Sequence, residues 1–567
     1  MSVAVGTGRG EARAEQASER IGEAMTQAVV THTPAPPPAP AEPDPARRGP
    51  ASWGPVAWAV THSGWLGPLA VALFAGVLRF WNLGYPHAFV FDETYYPKDA
   101  WSLLKLGYEG SWPDSANADI LGTPQSIPLT PNPEFIAHPP LGKWTIALGE
   151  QLFGLNPFGW RFMTALLGTV TVLMLARIGR RLFASTLIGC TAALLMSVDG
   201  LQFVMSRVSL LDGVQMFYVL GAFGALLIDR DRTRERLAAG PDGKHPDGDR
   251  TRLGWRPWRI TAGVLLGAAC ATKWNGLMIL AAFGLLPVLW DASRRRWAGA
   301  RHPYRSMLRR DAGPALLATV GSAAAVYLAS WGGWFLTDGG YNRHWADGRS
   351  GLSPDKVFGV PLPQVDMSWV PAALRSLWHY HSQMWDFNTG LSTPHTYQSN
   401  PWSWLVQGRP VSMYWEQLPQ GQKGCTAPGG CASQILGLGT PLLWWAACFA
   451  LVYLLWRWAF RRDWRSGAVL CAVAGIYLPW FQYQERTVFS FYMVVLVPFL
   501  CLAVAQMLGA LLGPAGCSPE RRRLGAAGAG AIVLAVVVCF AYFLPLYTAE
   551  VFPMTDWQDR MWFTSWV

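Results

Sequence analysis

Residues 487–511 read TVFSFYMVVLVPFLCLAVAQMLGAL, a run of 25 residues without one charged side chain. About 20 mostly apolar residues are enough for a helix to cross a bilayer, and several other stretches of this chain are as apolar. Transmembrane β-barrels have strands of alternating polarity instead of solid apolar runs. The sequence therefore predicts an all-α polytopic membrane protein.

The composition supports this prediction. Of 567 residues, 51% are hydrophobic and 14% are charged, whereas soluble domains have about 25% charged residues. These values exclude a soluble enzyme, a coiled coil and a disordered scaffold. The net charge of +10 comes from arginines in the short connectors between apolar runs. Such clusters orient membrane helices, so their distribution argues against a nucleic acid partner.

Eleven membrane spans are predicted, with the N-terminus in the cytoplasm and the C-terminus outside. Residues 259–291 are too long for one span, so we predict two short helices hinged at residues 273–276, which keeps the basic clusters on both sides of this segment cytoplasmic. The other spans are 64–84, 158–176, 183–198, 208–228, 312–335, 433–456, 467–482, 487–511 and 525–547.

This topology divides the chain into regions. Residues 1–55, rich in Pro and charge, are predicted to be a disordered cytoplasmic tail. Residues 56–550 form the transmembrane domain, with external loops at 85–157 and 336–432, and residues 551–567 form a short external tail. Because the cytoplasmic connectors contain little besides arginine, we expect any chemistry on the outer face.

The sharpest local signal is the pair Asp92 and Glu93, directly after the first span. Desolvation at the membrane surface raises the pKa of a carboxyl group and suits it to act as a general base. The alternative is structural, because Asp92 could cap a helix that begins at Glu93. The sequence alone leaves both interpretations open.

Four basic residues are predicted on the outer face, where few are expected: Lys143, Arg207, Lys273 and Arg486. Each alone is typical of an anchor or an ion pair, and Asp212, in the SRVSLLD segment at 206–212, is a candidate ion-pair partner of Arg207. His138 precedes a double proline that turns the chain near Lys143. Together the four cations indicate an anion site.

The second external loop contains aromatic and amide side chains around two further candidates, His395 and Trp402. Flat aromatic faces suit sugar rings or a polypeptide, but they equally suit a compact loop on the membrane. Cys425 and Cys431 could form a local disulfide if this loop faces an oxidising compartment. No metal-ligand spacing is present.

These motifs occur in an order that resembles the protein O-mannosyltransferase family (glycosyltransferase family 39, GT-C architecture) in its bacterial, actinobacterial-like form. The resemblance covers residues 64–550 and includes HPPLGK at 138–143, HTYQSNPWSW at 395–404 and ERTVFSFYMVVLVPF at 485–499. The chain has no room for the β-trefoil MIR domain that eukaryotic members insert in the large external loop.

The resemblance implies a polyprenyl-phosphate-mannose donor and a Ser or Thr hydroxyl acceptor on a secreted or membrane protein, outside the plasma membrane and with the secretion translocon as a candidate partner. It assigns the acidic pair to Asp92 and Glu93 and the essential arginine to Arg207. A carboxylate must accept the hydroxyl proton, and cations must stabilise the leaving phosphate; Arg486 or Lys143 could assist Arg207. One displacement inverts the anomeric carbon. We favour Asp92 as the base, with Glu93 positioning the acceptor.

Alternative functions remain open at this stage. A GT-C enzyme that modifies a lipid or a cell-wall glycan would share the acidic loop and the donor site. A transporter or flippase is disfavoured, because its ionisable residues would lie deep in the spans. A non-catalytic insertion chaperone would tolerate loss of Asp92 and Glu93. No tightly bound cofactor is expected, and a divalent cation at Asp92 is compatible with the chemistry although no ligand cluster indicates one.

Overall fold

The computed structural model describes residues 55–239, 248–351, 356–357, 360–361, 365–514 and 516–567. The chain divides into two compact units, residues 1–61 and 62–567. Of the first unit, only the opening turns of one helix are described, so the disordered tail predicted for residues 1–55 lies outside the described residues apart from its last position. The site described below lies in the second unit.

Helices account for most of the described residues. In the bilayer core no water is present to bond backbone N–H and C=O groups, and a helix satisfies them with its own internal hydrogen bonds. The longer helices are α1 Pro55–Phe80, α2 Tyr96–Leu106, α3 Leu141–Phe153, α4 Pro157–Phe183, α5 Thr186–Ser197, α6 Leu211–Ala239, α7 Pro257–Cys270, α8 Gly276–Trp297, α9 Pro303–Ser330, α10 Ala372–Gly390, α11 Pro441–Arg461, α12 Trp464–Tyr477, α13 Ser490–Leu511 and α14 Pro519–Phe543.

Shorter helical turns connect these helices, and several of them contribute to the site. Their bounds are Phe91–Thr94, Ala116–Leu121, Gly200–Met205, Gly332–Leu336, Pro401–Ser403, Leu478–Gln482, Pro545–Thr548, Met554–Arg560 and Thr564–Trp566.

Each of the eleven predicted spans has a helical counterpart. Within the described residues, seven helices are long and apolar enough to cross a membrane, and Gly64–Phe80 and Thr186–Ser197 are shorter apolar helices. The predominantly helical fold is therefore confirmed, whereas the number of crossings and the side of each terminus stay predictions. The predicted start of the span at 433–456 is wrong, because that helix begins at Pro441, in the first-turn position that proline favours.

Two small antiparallel sheets depart from the all-α prediction. Strands β1 Lys356–Val357 and β2 Val360–Pro361 pair with each other, and a second sheet has the order β3 Val411–Leu418, β4 Cys431–Gly437 and β5 Phe552–Pro553. Strand β4 is buried along its whole length, including Ser433 and Gln434, so its polarity does not alternate and the prediction joined it to the apolar helix that follows. Cys425 and Cys431, whose Cα atoms are 5.7 Å apart, form a disulfide in the β3–β4 connection.

The large loops and the C-terminal segment come together at one end of the helices. Asn388 at the end of α10 donates a hydrogen bond to the Ala137 carbonyl (2.9 Å), which joins the two loops. Strand β5 pairs with β4 through Phe552 and Ala432, which brings the C-terminal segment to the second loop. The predicted external segments therefore share one face, whereas the arginine-rich connectors lie at the other helix ends.

The predicted hinge is present between α7 and α8. The chain leaves α7 after Cys270 and enters α8 at Gly276, and the turn presents Lys273 toward the centre of the molecule. The Gln215 side-chain amide of α6 donates to the Ala269 and Lys273 carbonyls and to Asn275 Oδ1, at 3.2, 2.9 and 2.7 Å. This side chain holds the hinge against α6.

Candidate active site

Glu93 lies at the bottom of the first external loop and is fully buried. Its Oε1 accepts hydrogen bonds from Arg161 Nε and from the Ser209 backbone N–H, both at 2.8 Å. Its Oε2 accepts from Arg161 Nη2 at 2.8 Å and from the Val90 backbone N–H at 2.9 Å. With four donors and a bidentate ion pair, this carboxylate is fully occupied within the protein.

Arg161 extends this contact to the rest of the loop. Its Nη1 donates to the Leu83 and Pro86 carbonyls at 3.3 and 3.0 Å, and its Nη2 donates to the Ala88 carbonyl at 2.8 Å. The ion pair therefore attaches the loop to α4 at several points.

Asp92, the neighbour of Glu93, is only partly buried and forms no ion pair with any residue that the structure describes. The Tyr96 hydroxyl bonds to its carboxylate, and Lys273 and Asp212 lie close enough to affect its charge. Burial is the main reason why the pKa of Asp92 is raised to about 6; Lys273 and Tyr96 oppose the rise and Asp212 contributes to it. A carboxylate with this pKa is ionised at neutral pH and basic enough to accept a proton.

The backbone just before Asp92 is strained. Phe91 has a φ of +53°, in the left-handed region that bulky residues rarely adopt. Its ring packs edge-on against Phe489 and Phe491 with centroid distances of 6.2 and 5.6 Å. Aromatic packing thus holds the turn that separates the surroundings of Asp92 from those of Glu93.

Lys273 and Asp212 form a buried ion pair beside Asp92, so the partner of Asp212 is Lys273 and not the predicted Arg207. Lys273 Nζ lies 2.9 and 3.0 Å from the two Asp212 oxygens, and both side chains are under 10% exposed. The ammonium also lies 4.3 Å from the centre of the Tyr492 ring. The hinge and the first turn of α6 thus place a positive charge next to the Asp92 carboxylate.

Three cations surround His138, and they differ in what they bind. Burial lowers the pKa of His138 well below its usual value, and Lys273, Lys143 and Arg486 lower it further, so the imidazole is neutral at pH 7. Lys143 is fully buried and pairs with Glu109 at 2.5 Å. With the residues that the structure describes, Arg486 makes one side-chain hydrogen bond, a long one of 3.4 Å from Nη2 to Asn388 Oδ1. Its Nε is buried without a partner among the described residues.

This arrangement combines a basic carboxylate, Asp92, with a guanidinium, Arg486, that is not neutralised by an ion pair with any described residue. Asp92, Tyr96, Asp212, Lys273 and His138 come from α2, α6, the hinge and the first loop, and Arg486 joins them from the segment before α13. Among the described residues, Arg486 has no carboxylate within ion-pair distance. Such a site is equipped to accept a proton at one point and to stabilise an anion at another.

Two family descriptions match the chain. Residues 69–309 match the dolichyl-phosphate-mannose-protein mannosyltransferase family, and residues 373–566 match the C-terminal four-helix transmembrane region of protein O-mannosyltransferases. The chain is 39% identical to polyprenol-phosphate-mannose–protein mannosyltransferase of Mycolicibacterium smegmatis, over 89% of this chain and 93% of that protein. The enzyme of the same name from Mycobacterium tuberculosis is 37% identical, with 89% and 92% covered.

The chain belongs to the protein O-mannosyltransferase family. It is thus a membrane-bound glycosyltransferase. A solved structure of the S. cerevisiae protein O-mannosyltransferase complex bound to the sugar donor covers 89% of this chain and 93% of the matched chain, with a TM-score of 0.66 and 15% identity. The GT-C-type fold implied by the motifs is confirmed by this match.

Arg207 has a different environment in this O-mannosyltransferase from the one predicted. Its Nη1 donates to the Leu78, Arg79 and Trp81 carbonyls at 3.3, 2.8 and 2.6 Å, and its Nη2 donates to the Asn82 carbonyl at 3.2 Å. These groups form the C-terminal end of α1, where helix carbonyls lack partners and the helix dipole is negative. The contacts describe an arginine that caps α1, and a phosphate contact stays a prediction.

The two candidates from the second loop lie in different places. His395 is exposed and packs edge-on against Phe91 at 6.5 Å and Phe489 at 5.1 Å, so it borders the acidic loop. Trp402 is 72% exposed and contacts Phe481 with a centroid distance of 4.7 Å. The structure thus brings His395, but not Trp402, into contact with the Phe91 turn beside Asp92.

Sequence reasoning missed three residues that shape this mannosyltransferase site: Arg161, Gln215 and Tyr96. Arg161 had a usable signal, because a charged residue inside an apolar run suggests a buried partner.

Within the described residues, no group of three or more metal-ligating side chains gathers at a metal-binding geometry.

Proposed function

We propose that this chain transfers mannose from polyprenyl-phosphate mannose to Ser or Thr hydroxyls of secreted and membrane proteins, on the extracytoplasmic side of the plasma membrane. The names of the mycobacterial relatives support this donor and a protein acceptor. The observation that carries the proposal is the contrast between the occupied Glu93 carboxylate and the available Asp92 carboxylate next to a cationic cluster.

In the proposed reaction, the acceptor hydroxyl oxygen attacks the anomeric carbon of mannose while the hydroxyl proton moves to the Asp92 carboxylate. The bond between the anomeric carbon and the phosphate oxygen breaks, and polyprenyl phosphate leaves. One displacement inverts the anomeric centre. Because phosphate is a competent leaving group, a second carboxylic acid is not needed to protonate it, in contrast to glycosidases.

The leaving phosphate needs positive charge, and the four predicted cations are not equally available for it. We propose Arg486 as the principal phosphate contact, because its guanidinium has one long hydrogen bond and a buried Nε without a described partner. Lys273 assists from its pair with Asp212. Lys143 is bound by Glu109, and Arg207 is bound by the end of α1.

An apolar groove provides a place for the lipid part of the donor. It has a volume of about 540 Å³, runs between the α7–α8 hinge, α9 and α10, and includes Trp274, Tyr327 and Leu328 in its lining. Trp274 follows Lys273 directly, so the groove begins beside the cationic cluster. We propose that the isoprenoid chain lies in this groove with its phosphate at Lys273 and Arg486.

The acceptor is proposed to approach over the second loop, where His395 borders the Phe91 turn. This approach leaves Asp92 between the acceptor and the donor, as the displacement requires. Acceptors that emerge from the secretion translocon would reach this face in an unfolded state. A partnership with the translocon stays a prediction.

Transfer of radiolabelled mannose from polyprenyl-phosphate mannose to a peptide rich in Ser, Thr and Pro tests the function, with the full chain in isolated membranes. We expect peptide labelling by the wild type and its loss in Asp92→Asn. Asp114→Asn is the matched control, since it changes an exposed carboxylate of the same loop.

The distribution of label separates the alternatives. Label found only in a lipid or glycan fraction would move the acceptor to that class and keep the donor site. Absence of transfer to every fraction by a folded wild-type protein would contradict the proposed chemistry. An Asp92→Asn protein that labels the peptide at the wild-type rate would remove Asp92 as the base.

A further inference from the structure

A second cavity lies at the opposite ends of the helices. Its volume is about 670 Å³, and it is bounded by the ends of α4, α6 and α8 and the start of α12. Along α6, residue 230 at this cavity is 18 residues from Asp212 at the active site, which corresponds to about 27 Å at 1.5 Å per residue. That distance approaches the thickness of the hydrocarbon core, which puts the cavity at the cytoplasmic face in the predicted topology.

Positive charge dominates the lining. Five arginines line the cavity: Arg181, Arg230, Arg234, Arg294 and Arg465. Two carboxylates face them, Asp231 and Glu235. Asp231 is engaged by Arg181 at 2.6 Å and by Arg230 at 3.8 Å. The five positive charges therefore exceed the two negative charges within a single concave surface.

Two of these arginines have hydrogen-bond donors without an acceptor among the described residues. Arg294 is 9% exposed and makes no ion pair or side-chain hydrogen bond with any residue that the structure describes. Arg230 lies over the Trp464 ring, and its Nε is buried without a partner among the described residues. A partly buried guanidinium with unfilled hydrogen-bond donors is costly, so an anion that enters the cavity would supply the missing acceptors.

We propose that this cavity binds a phosphate ester, namely the headgroup of an anionic phospholipid in the leaflet at that face. A guanidinium donates two parallel hydrogen bonds to phosphate oxygens, which fits a cavity lined by several arginines. Trp297 at the rim is 64% exposed, as is typical of residues at the headgroup level. Basic pockets between helices at the cytoplasmic side are typical anionic lipid sites. This site is independent of the proposed transfer reaction.

Lipid retention by the purified full chain in detergent micelles tests the proposal. The protein is incubated with equal amounts of phosphatidylglycerol and phosphatidylcholine, and the bound lipids are counted by native mass spectrometry. We expect preferential retention of phosphatidylglycerol and a decrease of about fivefold in Arg294→Gln. Arg296→Gln is the matched control, because Arg296 is exposed on the same helix and does not line the cavity.

A second variant and a competitor complete the experiment. Arg234→Gln, at an exposed position of the lining, should also decrease retention while the unfolding midpoint stays unchanged. If inorganic phosphate binds with the same dependence on Arg294 and phosphatidylglycerol does not, the site accepts soluble phosphate instead of lipid. Equal phosphatidylglycerol retention by the wild type, Arg294→Gln and Arg296→Gln would overturn the proposal.

Discussion

Asp92 and Glu93 are adjacent in the chain, and their carboxyl groups have opposite surroundings. Glu93 is enclosed by Arg161 and two backbone N–H groups, whereas Asp92 lies beside Tyr96 and Lys273. The two positions should therefore respond differently to removal of the charge, although both losses reduce the amount of product.

For the base position, Asp92→Asn should reduce kcat by a factor of about 10² to 10⁴ and leave the unfolding midpoint unchanged, because only the proton acceptor is lost. For the ion pair, Glu93→Gln should destabilise the protein by about 3–5 kcal/mol, because Arg161 is left buried without its partner. Steady-state kinetics and thermal unfolding of the purified variants distinguish the two effects. The opposite pattern would exchange the roles of the two carboxylates.

The pKa of Asp92 predicts a pH dependence. Its carboxylate is the active form, and burial raises its pKa to about 6. Activity should therefore be full above this pH and fall about tenfold per pH unit below it. The measurement is the kcat/KM of the wild type between pH 5 and 8, and its midpoint is expected at about pH 6. A profile that is flat down to pH 5 in a folded protein would contradict a base with a raised pKa.

Arg486 should affect donor binding more than turnover. Removal of its charge in Arg486→Gln should raise the KM for polyprenyl-phosphate mannose about tenfold or more, because a charge-assisted hydrogen bond to phosphate is lost. Arg486→Lys should recover part of the affinity. Lys423→Gln, a 64% exposed position in the second loop, is the control. Unchanged donor KM in Arg486→Gln would exclude the proposed phosphate contact.

At this scale the sequence predicts which residue types gather at the site but not how they pair. Lys273 and Asp212 are 61 residues apart, and Arg161 and Glu93 are 68 apart. Pairing over such separations depends on how the helices pack, which no local pattern encodes. Arg207 illustrates the result: its charge and location suggest a phosphate ligand, but its reach to the end of α1 depends on tertiary structure.

Among the elements, α7 and α9 make a close helix contact at the lipid groove. Gly263 and Gly267 are four residues apart on α7, and a Cβ added at Gly267 would lie 2.5 Å from the Ala323 carbonyl oxygen of α9. Small residues at this spacing allow helix backbones to approach closely in a membrane. The pair therefore sets the distance between α7 and the helix that forms one wall of the groove.

Gly267→Ala should destabilise the protein by about 1–3 kcal/mol, because the added methyl group meets backbone atoms that cannot move aside. Gly284→Ala is the matched control, since a Cβ at that position meets nothing within 4 Å, and alanine improves the helix propensity. Thermal unfolding of both variants provides the comparison. A Gly267→Ala protein that is as stable as Gly284→Ala would contradict the close contact.

The elements were largely predictable because apolar runs and hinge residues are local signals. The hinge at Lys273 followed from the length of the apolar segment and the positive charges on both sides of it. Of the two short helices predicted there, α7 is short, whereas α8 has 22 residues and is long enough to cross a membrane. Strand β4 was missed because all its residues are buried, so its polarity does not alternate as in a half-buried strand, and its pairing with β3 and β5 is tertiary.

For the whole molecule, the orientation in the membrane is the main prediction to test. Cys517 lies between α13 and α14 on the predicted cytoplasmic side, whereas Cys425 and Cys431 form the disulfide in the second external loop. A membrane-impermeant maleimide applied to intact cells should leave Cys517 unmodified and should label Cys425 and Cys431 only after reduction. Labelling of Cys517 from outside would reverse the orientation.

The attachment of Arg207 to the end of α1 affects how loss-of-function data for such enzymes are interpreted. In an alanine scan scored by product alone, Arg207, Arg161 and Asp92 would fall into one class of inactive mutants. The first two hold the end of α1 and the start of the first external loop, and the third lies in the proposed reaction path. Loss of function at these positions therefore reports structural damage and loss of the catalytic group together. A second-site suppressor that stabilises the loop could restore Arg207 or Arg161 mutants, but it could not restore an Asp92 mutant.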